Sequence, residues 1–140
     1  MSAEQNKALN RRLVEEGFSK GDFAVLDELI AEDCLDHAGA PGTAPGLAGV
    51  KQFFTMFHAA FPDLHYTIED QVAEGDKVVT RTTWRGTHKG TFVGIPPTGK
   101  QVAVTGLDMT RWAGGKAVEH WANQDLLGLM QQLGVVPQPE

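Results

Sequence analysis

The chain has 140 residues, 41% of them apolar and 21% charged, the make-up of one globular domain over 1–140 that can bury its own core. A net charge of −6 with scattered Lys and Arg argues against a nucleic-acid surface, and no apolar run reaches membrane-spanning length. The single cysteine, Cys34, excludes an internal disulfide, and the polar stretch Ser2–Arg12 lacks the apolar segment of a signal peptide, so a cytoplasmic protein is expected.

Leu9, Leu13 and Phe18 make the loose apolar stripe of a first helix, broken at Gly17 and ended by Gly21. Asp22 is placed to cap a second helix, on which Val25, Leu26, Leu29 and Ile30 recur at helical spacing. Residues 36–46 contain three Gly and two Pro and are expected to form a loop. A third helix carries Leu47, Val50, Phe54, Phe57 and Phe61 on one stripe and stops at Pro62-Asp63.

From His65 the apolar period changes to two. Tyr66, Ile68 and Val72 mark a strand, Glu74-Gly75-Asp76-Lys77 a turn, and Val78–Arg85 a second strand. A looser segment with Gly86, Gly90, Gly94 and Pro96-Pro97-Thr98-Gly99 is followed by a hairpin, Gln101–Trp112 and Lys116–Gln124 around Gly114-Gly115. A closing helix bears Leu126, Leu129, Met130 and Leu133, ends at Gly134, and leads into a short Pro-containing tail. Helices followed by an antiparallel meander define an α+β fold, with a bent sheet wrapped over three helices around a cone-shaped cavity.

The run Glu119-His120-Trp121-Ala122-Asn123-Gln124-Asp125 carries the most chemistry. Alternation puts Glu119, Trp121, Asn123 and Asp125 on one face. If that face looks inward, a carboxylate lies beside an indole in a dry space, where burial raises its pKa and suits it to moving protons on and off carbon. A two-residue hairpin loop would put Trp121 on the face of Asp108 and Thr110. A three-residue loop, Ala113-Gly114-Gly115, would put it with Leu107, Met109 and Arg111. The second register is preferred because Gly115 suits the left-handed position and because it gathers Leu107, Met109 and Trp121 into an apolar wall.

Several short motifs together resemble the SnoaL-like polyketide cyclase family of the NTF2-like superfamily. They are Phe61-Pro62-Asp63, Gly75-Asp76 with Val78 and Arg81, Gly86-Thr87-His88 with Gly90, and Pro97-Thr98-Gly99. Arg111, Gly115-Lys116, Glu119, Trp121, Asp125 and Gln132-Leu133-Gly134 continue the series. The resemblance implies an NTF2-like cone, a strongly curved antiparallel sheet over about three N-terminal helices with a short C-terminal helix, assembled as dimers or tetramers. It also implies a cofactor-free intramolecular aldol reaction on a polyketide ester, with Asp125 as the acid/base group.

On this reading the catalytic candidates are Asp125, Arg111 and Glu119. Asp125 is the base, the N-cap of the last helix, or both, since a cap can still face a pocket. Arg111 either stabilises an enolate or simply pairs with Glu119. Trp121, Met109, Leu107, His37, Phe57, Arg81 and Asn123 are candidate substrate contacts. Trp84 has no fixed direction, His58 reads as half-buried, and His65, His88 and His120 as exposed. No His pair has metal-enzyme spacing, Cys34 with His37 lacks support as a nucleophile pair, and the glycines at 86, 90 and 94 match no phosphate loop, so no metal or cofactor is expected. The expected function is a cofactor-independent cyclase, lyase or isomerase acting on a small, largely apolar carbonyl compound. The alternatives are a non-catalytic small-molecule-binding cone and a hydrolase or dehydratase using the same cavity.

Overall fold

The computed structural model describes residues 1–39 and 42–137, so Ala40 and Pro41 of the expected 36–46 loop and the last three residues of the expected tail lie outside the described residues. Helix α1 (Ala3–Arg12) starts at a capping box, in which the Ser2 hydroxyl accepts the Gln5 N–H and the Gln5 side chain accepts the Ser2 N–H. The chain then passes through a π-helical turn, Leu13–Phe18. The break expected at Gly17 is absent: the missing Cβ lets Leu26 pack there, and a built Cβ would lie 2.8 Å from its Cδ2. Helix α2 (Phe23–Leu29) is capped by Asp22, and α3 (Gly46–Ala60) ends before Pro62 as expected. No described helix is long and apolar enough to cross a membrane.

Ile30 does not continue α2. It begins strand β1 (Ile30–Asp36), which the local sequence hides, because only Ile30 and Cys34 are buried and the rest is acidic or small apart from an exposed Leu35. What makes this segment a strand is a distant partner. It pairs in parallel with β5 (Lys116–Gln124), Asp36 opposite His120. Strands β2 (His65–Glu74), β3 (Lys77–Thr87) and β4 (Gln101–Ala113) complete an open, curved sheet of order β1-β5-β4-β3-β2, and α4 (Leu126–Leu133) closes the fold.

The inner sheet face carries Val78, Thr80, Trp84, Val104, Thr110 and Trp112, all buried against the helices. Phe57 and Phe61 meet Trp84 edge-on at 4.7 and 5.1 Å, and the Trp84 indole N–H donates to Gln124 at 2.8 Å. Phe57 is only 2% exposed, so the expected substrate contact is a core residue. Burying such a ring stabilises the fold by roughly 1.5–3 kcal/mol. His88, expected to be exposed, is fully buried beside Phe61, with Nδ1 accepting the Thr98 N–H.

The β4–β5 hairpin reaches the expected sharing of faces by a different route. Its loop has two residues, not three: Gly114 and Gly115, both at positive φ, join the paired residues Ala113 and Lys116. A bulge at Val118 then shifts the pairing, so that Arg111 meets Glu119 and Met109 meets Trp121.

Candidate active site

The residues that share a face are as expected, but that face is the outer one. On β4, Val102, Val104, Thr110 and Trp112 are buried inward, so the intervening Leu107, Met109 and Arg111 point outward, Leu107 being 51% exposed. Their partners Asn123, Trp121 and Glu119 share that outer face. The expected apolar wall exists, but it does not line the cone.

The inner face at the β1–β5–β4 side holds a different constellation, Asp36, His120 and Asp108. The His120 Nδ1–H donates to Asp36 Oδ1 at 3.0 Å, and its Nε2–H faces Asp108 Oδ2 at 3.4 Å. The three side chains keep 15–22% of their surface, so they are sheltered but not sealed off. Burial alone would lower the His120 pKa, but hydrogen bonds and charge from Asp108 and Asp36 outweigh it and raise it to about 9. Asp36 shows the counterpart: burial opposes ionisation, yet His120 and the Ala38 N–H hold its pKa below the usual carboxylate range. The ring is therefore an imidazolium at neutral pH, held between two carboxylates.

Asp108 Oδ1 is buried and makes no hydrogen bond among the described residues. The cross-strand neighbour of Asp108 is Ala122, whose methyl offers no donor. A buried carboxylate oxygen with an open lone pair costs about 1–3 kcal/mol to leave unpaired, a cost typically retained where a ligand completes the set.

The expected site residues assemble elsewhere. His37 Nε2–H donates to Glu119 Oε2 at 2.8 Å, Glu119 Oε1 accepts the Arg111 Nε–H at 3.1 Å, and the His37 ring stacks on Trp121 with centroids 5.1 Å apart. The bonds from His37 and Arg111 hold Glu119 below the usual carboxylate pKa. Arg81, Leu107, Asn123 and Asp125 instead line an open outer groove of about 320 Å³. The Asp125 carboxylate is exposed and accepts the Gly128 N–H at 2.9 Å, as the N-cap of α4. The inward position expected of it does not occur.

The residues missed by sequence reasoning are Asp36, Asp108 and His120. Their signal was present on β4, where Val102, Val104 and Trp112 fix the even-numbered positions as inward. The adjacent pair Leu107 and Met109 suggested the opposite.

A sequence profile of the SnoaL-like polyketide cyclase family matches residues 8–133. The chain belongs to the SnoaL-like polyketide cyclase family. Among relatives in this family, aklanonic acid methyl ester cyclase DnrD of Streptomyces peucetius is 31% identical over 94% of this chain and 93% of its own. The structure of TsrD from Streptomyces laurentii superposes with a TM-score of 0.89 at 29% identity, covering 97% of this chain and 99% of that one. IdmH from Streptomyces antibioticus, described as a putative polyketide cyclase, gives a TM-score of 0.81 at 38% identity over 93% and 99%. The NTF2-like cone expected of the SnoaL-like cyclases is the fold observed.

Proposed function

We propose that this SnoaL-like protein is a cofactor-independent cyclase that closes a ring in a small polyketide-type carbonyl compound by an intramolecular aldol reaction. Asp108 is its base and His120 its acid. The observation that carries this reading is the unpartnered Asp108 Oδ1 beside the His120 imidazolium. The ester cyclase activity named for DnrD makes a polyketide methyl ester the substrate class of choice.

In this scheme Asp108 takes a proton from a carbon flanked by two carbonyls, leaving an enolate. The enolate carbon bonds to a second carbonyl carbon of the same molecule, and the resulting alkoxide takes the Nε2 proton of His120. The proton held by Asp108 then crosses to His120 and restores both groups. A positioned base or acid of this kind contributes ~10²–10⁴-fold, enough where the substrate itself supplies an acidic C–H. The acid/base role expected of Asp125 passes to Asp108, and Asp125 serves as a helix cap.

Turnover of aklanonic acid methyl ester by Asp108→Asn and Asp125→Asn tests the assignment. Loss of ~10²-fold or more in the first variant with retention in the second supports it; the reverse pattern returns the base to Asp125. Saturable binding with no chemical change in either the parent protein or its variants would favour the binding-protein alternative.

Self-association accompanies this reading. The outer face exposes Val72 and Leu107 (61% and 51%) beside Val79, Met109 and Trp121, a surface suited to a second copy. Sedimentation of the parent protein against Leu107→Asp tests it: a dimer that the substitution dissociates supports it, and a parent monomer rejects it.

A further inference from the structure

Asp36 is the last residue of an edge strand with little of its own to hold it. The β1–β5 pairing is irregular between Ile30 and Leu35, and Ala31-Glu32-Asp33 contribute few strand-forming or buried side chains. Beyond Asp36 the chain turns away, tied by the backbone His37 N–H to His120 carbonyl bond of 2.9 Å and by the Ala38 N–H to Asp36 Oδ1 bond of 3.0 Å. Strand ends of this kind open readily. Yet the Asp36–His120 contact needs sub-ångström placement to hold the imidazole in line with Asp108.

What fastens this end lies on the opposite face. Side chains alternate along both strands, so one step past Asp36, His37 emerges outward, on the same side as Glu119 and Trp121 that flank His120 on β5. The His37 imidazole bridges both: it donates to Glu119 at 2.8 Å and stacks on the Trp121 indole at 5.1 Å, 14° from parallel. Arg111 on β4 holds the other Glu119 oxygen at 3.1 Å. The cluster thus ties β4, β5 and the chain leaving β1 together directly behind His120.

We infer that His37, Glu119, Trp121 and Arg111 form an outer clamp that positions Asp36 against His120 through the sheet. The value of the clamp to turnover rests on the acid/base reading given above, but the positioning itself does not. His37 is the key positioning residue, and its ring makes no hydrogen bond to the side chains of Asp36, His120 or Asp108. The charged and titratable groups around His120 are Asp36 on β1, Asp108 on β4, and Glu119, Arg111 and His37 behind it. Tyr66 on β2 and Cys34 on β1 stay neutral, because burial and nearby carboxylates raise both, Cys34 to about 11.

The test reads the His120 ring directly, by NMR titration of its Cε1–H in the parent protein, His37→Ala and His37→Gln, with Arg85→Ala as an outward-facing control. The expected result for His37→Ala is a His120 midpoint displaced downward from about 9 toward the ~6.5 of an unpartnered imidazole. His37→Gln, which keeps a donor for Glu119, should recover part of the difference, and the control should titrate like the parent. The sign separates geometry from charge. Removing a nearby imidazole that is charged would raise the His120 midpoint, and removing a neutral one would leave it unmoved, so a lowered midpoint means loss of a carboxylate contact to the ring, and Asp36 is the carboxylate at the strand end that His37 holds. A His37→Ala protein that is folded by circular dichroism and whose His120 titrates as in the parent overturns the clamp. In turnover of aklanonic acid methyl ester the same variant should lose ~10–100-fold in kcat with KM little changed. If Asp108→Asn keeps full activity, the reaction assigned to the site falls while the titration result stands. If Asp108→Asn is inactive and His37→Ala titrates normally, only the clamp falls.

Discussion

Asp108 and Ala122 face each other across β4 and β5, and this pairing leaves one carboxylate oxygen of Asp108 buried without a donor. Cross-strand partners have Cβ atoms about 4.5–5.5 Å apart, so a small polar side chain at 122 could reach the open oxygen. Ala122→Ser should therefore quench the base while relieving the unsatisfied group. The expected outcome is a ten-fold or greater fall in kcat, on the order of a 1.4 kcal/mol barrier increase, with unfolding free energy unchanged or raised by about 1 kcal/mol. Steady-state kinetics and urea unfolding on the same preparation check both halves.

The Asp36–His120–Asp108 cluster makes stability depend on pH. The folded His120 pKa, about 9, lies above the ordinary histidine value of 6.5, so the folded state binds the proton more tightly. Its contribution is fully present below about pH 6.5 and is lost as pH rises through about 9. The upper bound is roughly 3 kcal/mol, reduced by the ring's remaining contact with water. Asp36 acts at the other end: its folded pKa is lowered, so its share is present above the ordinary carboxylate range and lost as pH falls through the folded value. These are two views of one interaction and do not add. Urea midpoints between pH 5 and 10 should fall at the alkaline end in the parent protein. His120→Gln should flatten that alkaline decline, and an unchanged decline would remove His120 as its cause.

Asp125 should behave as a cap. Asp125→Ala removes the acceptor for the Gly128 N–H and should cost about 1 kcal/mol of stability, within the ~0.5–2 kcal/mol range of N-cap losses. Asp125→Asn should cost less, since the amide oxygen still accepts. Thermal unfolding ranks the two, and equal stability of both with the parent would mean that the cap contributes nothing.

Phe57 should behave as core. Phe57→Ala removes a ring packed on Trp84, Phe61 and Phe92 and should destabilise by about 3–5 kcal/mol. Chemical denaturation gives the value. A loss below 1 kcal/mol, with weakened ligand binding, would restore Phe57 to the pocket.

The local sequence determined α3, β2, β3, β5 and α4, because each has a periodic apolar pattern and its own stop: Pro62 after α3, Gly75 after β2, Gly134 after α4. It also determined which residues share a face across the hairpin, Leu107, Met109 and Trp121, although Gly114-Gly115 and the Val118 bulge, in place of a three-residue loop, decide that Trp121 pairs with Met109. The cone and the family were legible for the same reason, as short motifs in a fixed order along the chain. Strand β1 was not legible, because what makes Ile30–Asp36 a strand is its partner β5, more than eighty residues away (Ile30 to Ala117), and not its own composition. Nor did the chain say which face of the sheet is inside. Alternation separates two faces but does not orient them; the helices do that, by burying Val102, Val104 and Trp112 and turning the neighbouring positions outward. Tertiary structure therefore moved the candidate chemistry to the other face of each strand, from Glu119 and Arg111 to His120 and Asp108. It brought Asp36 to them through a pairing that no local pattern encodes.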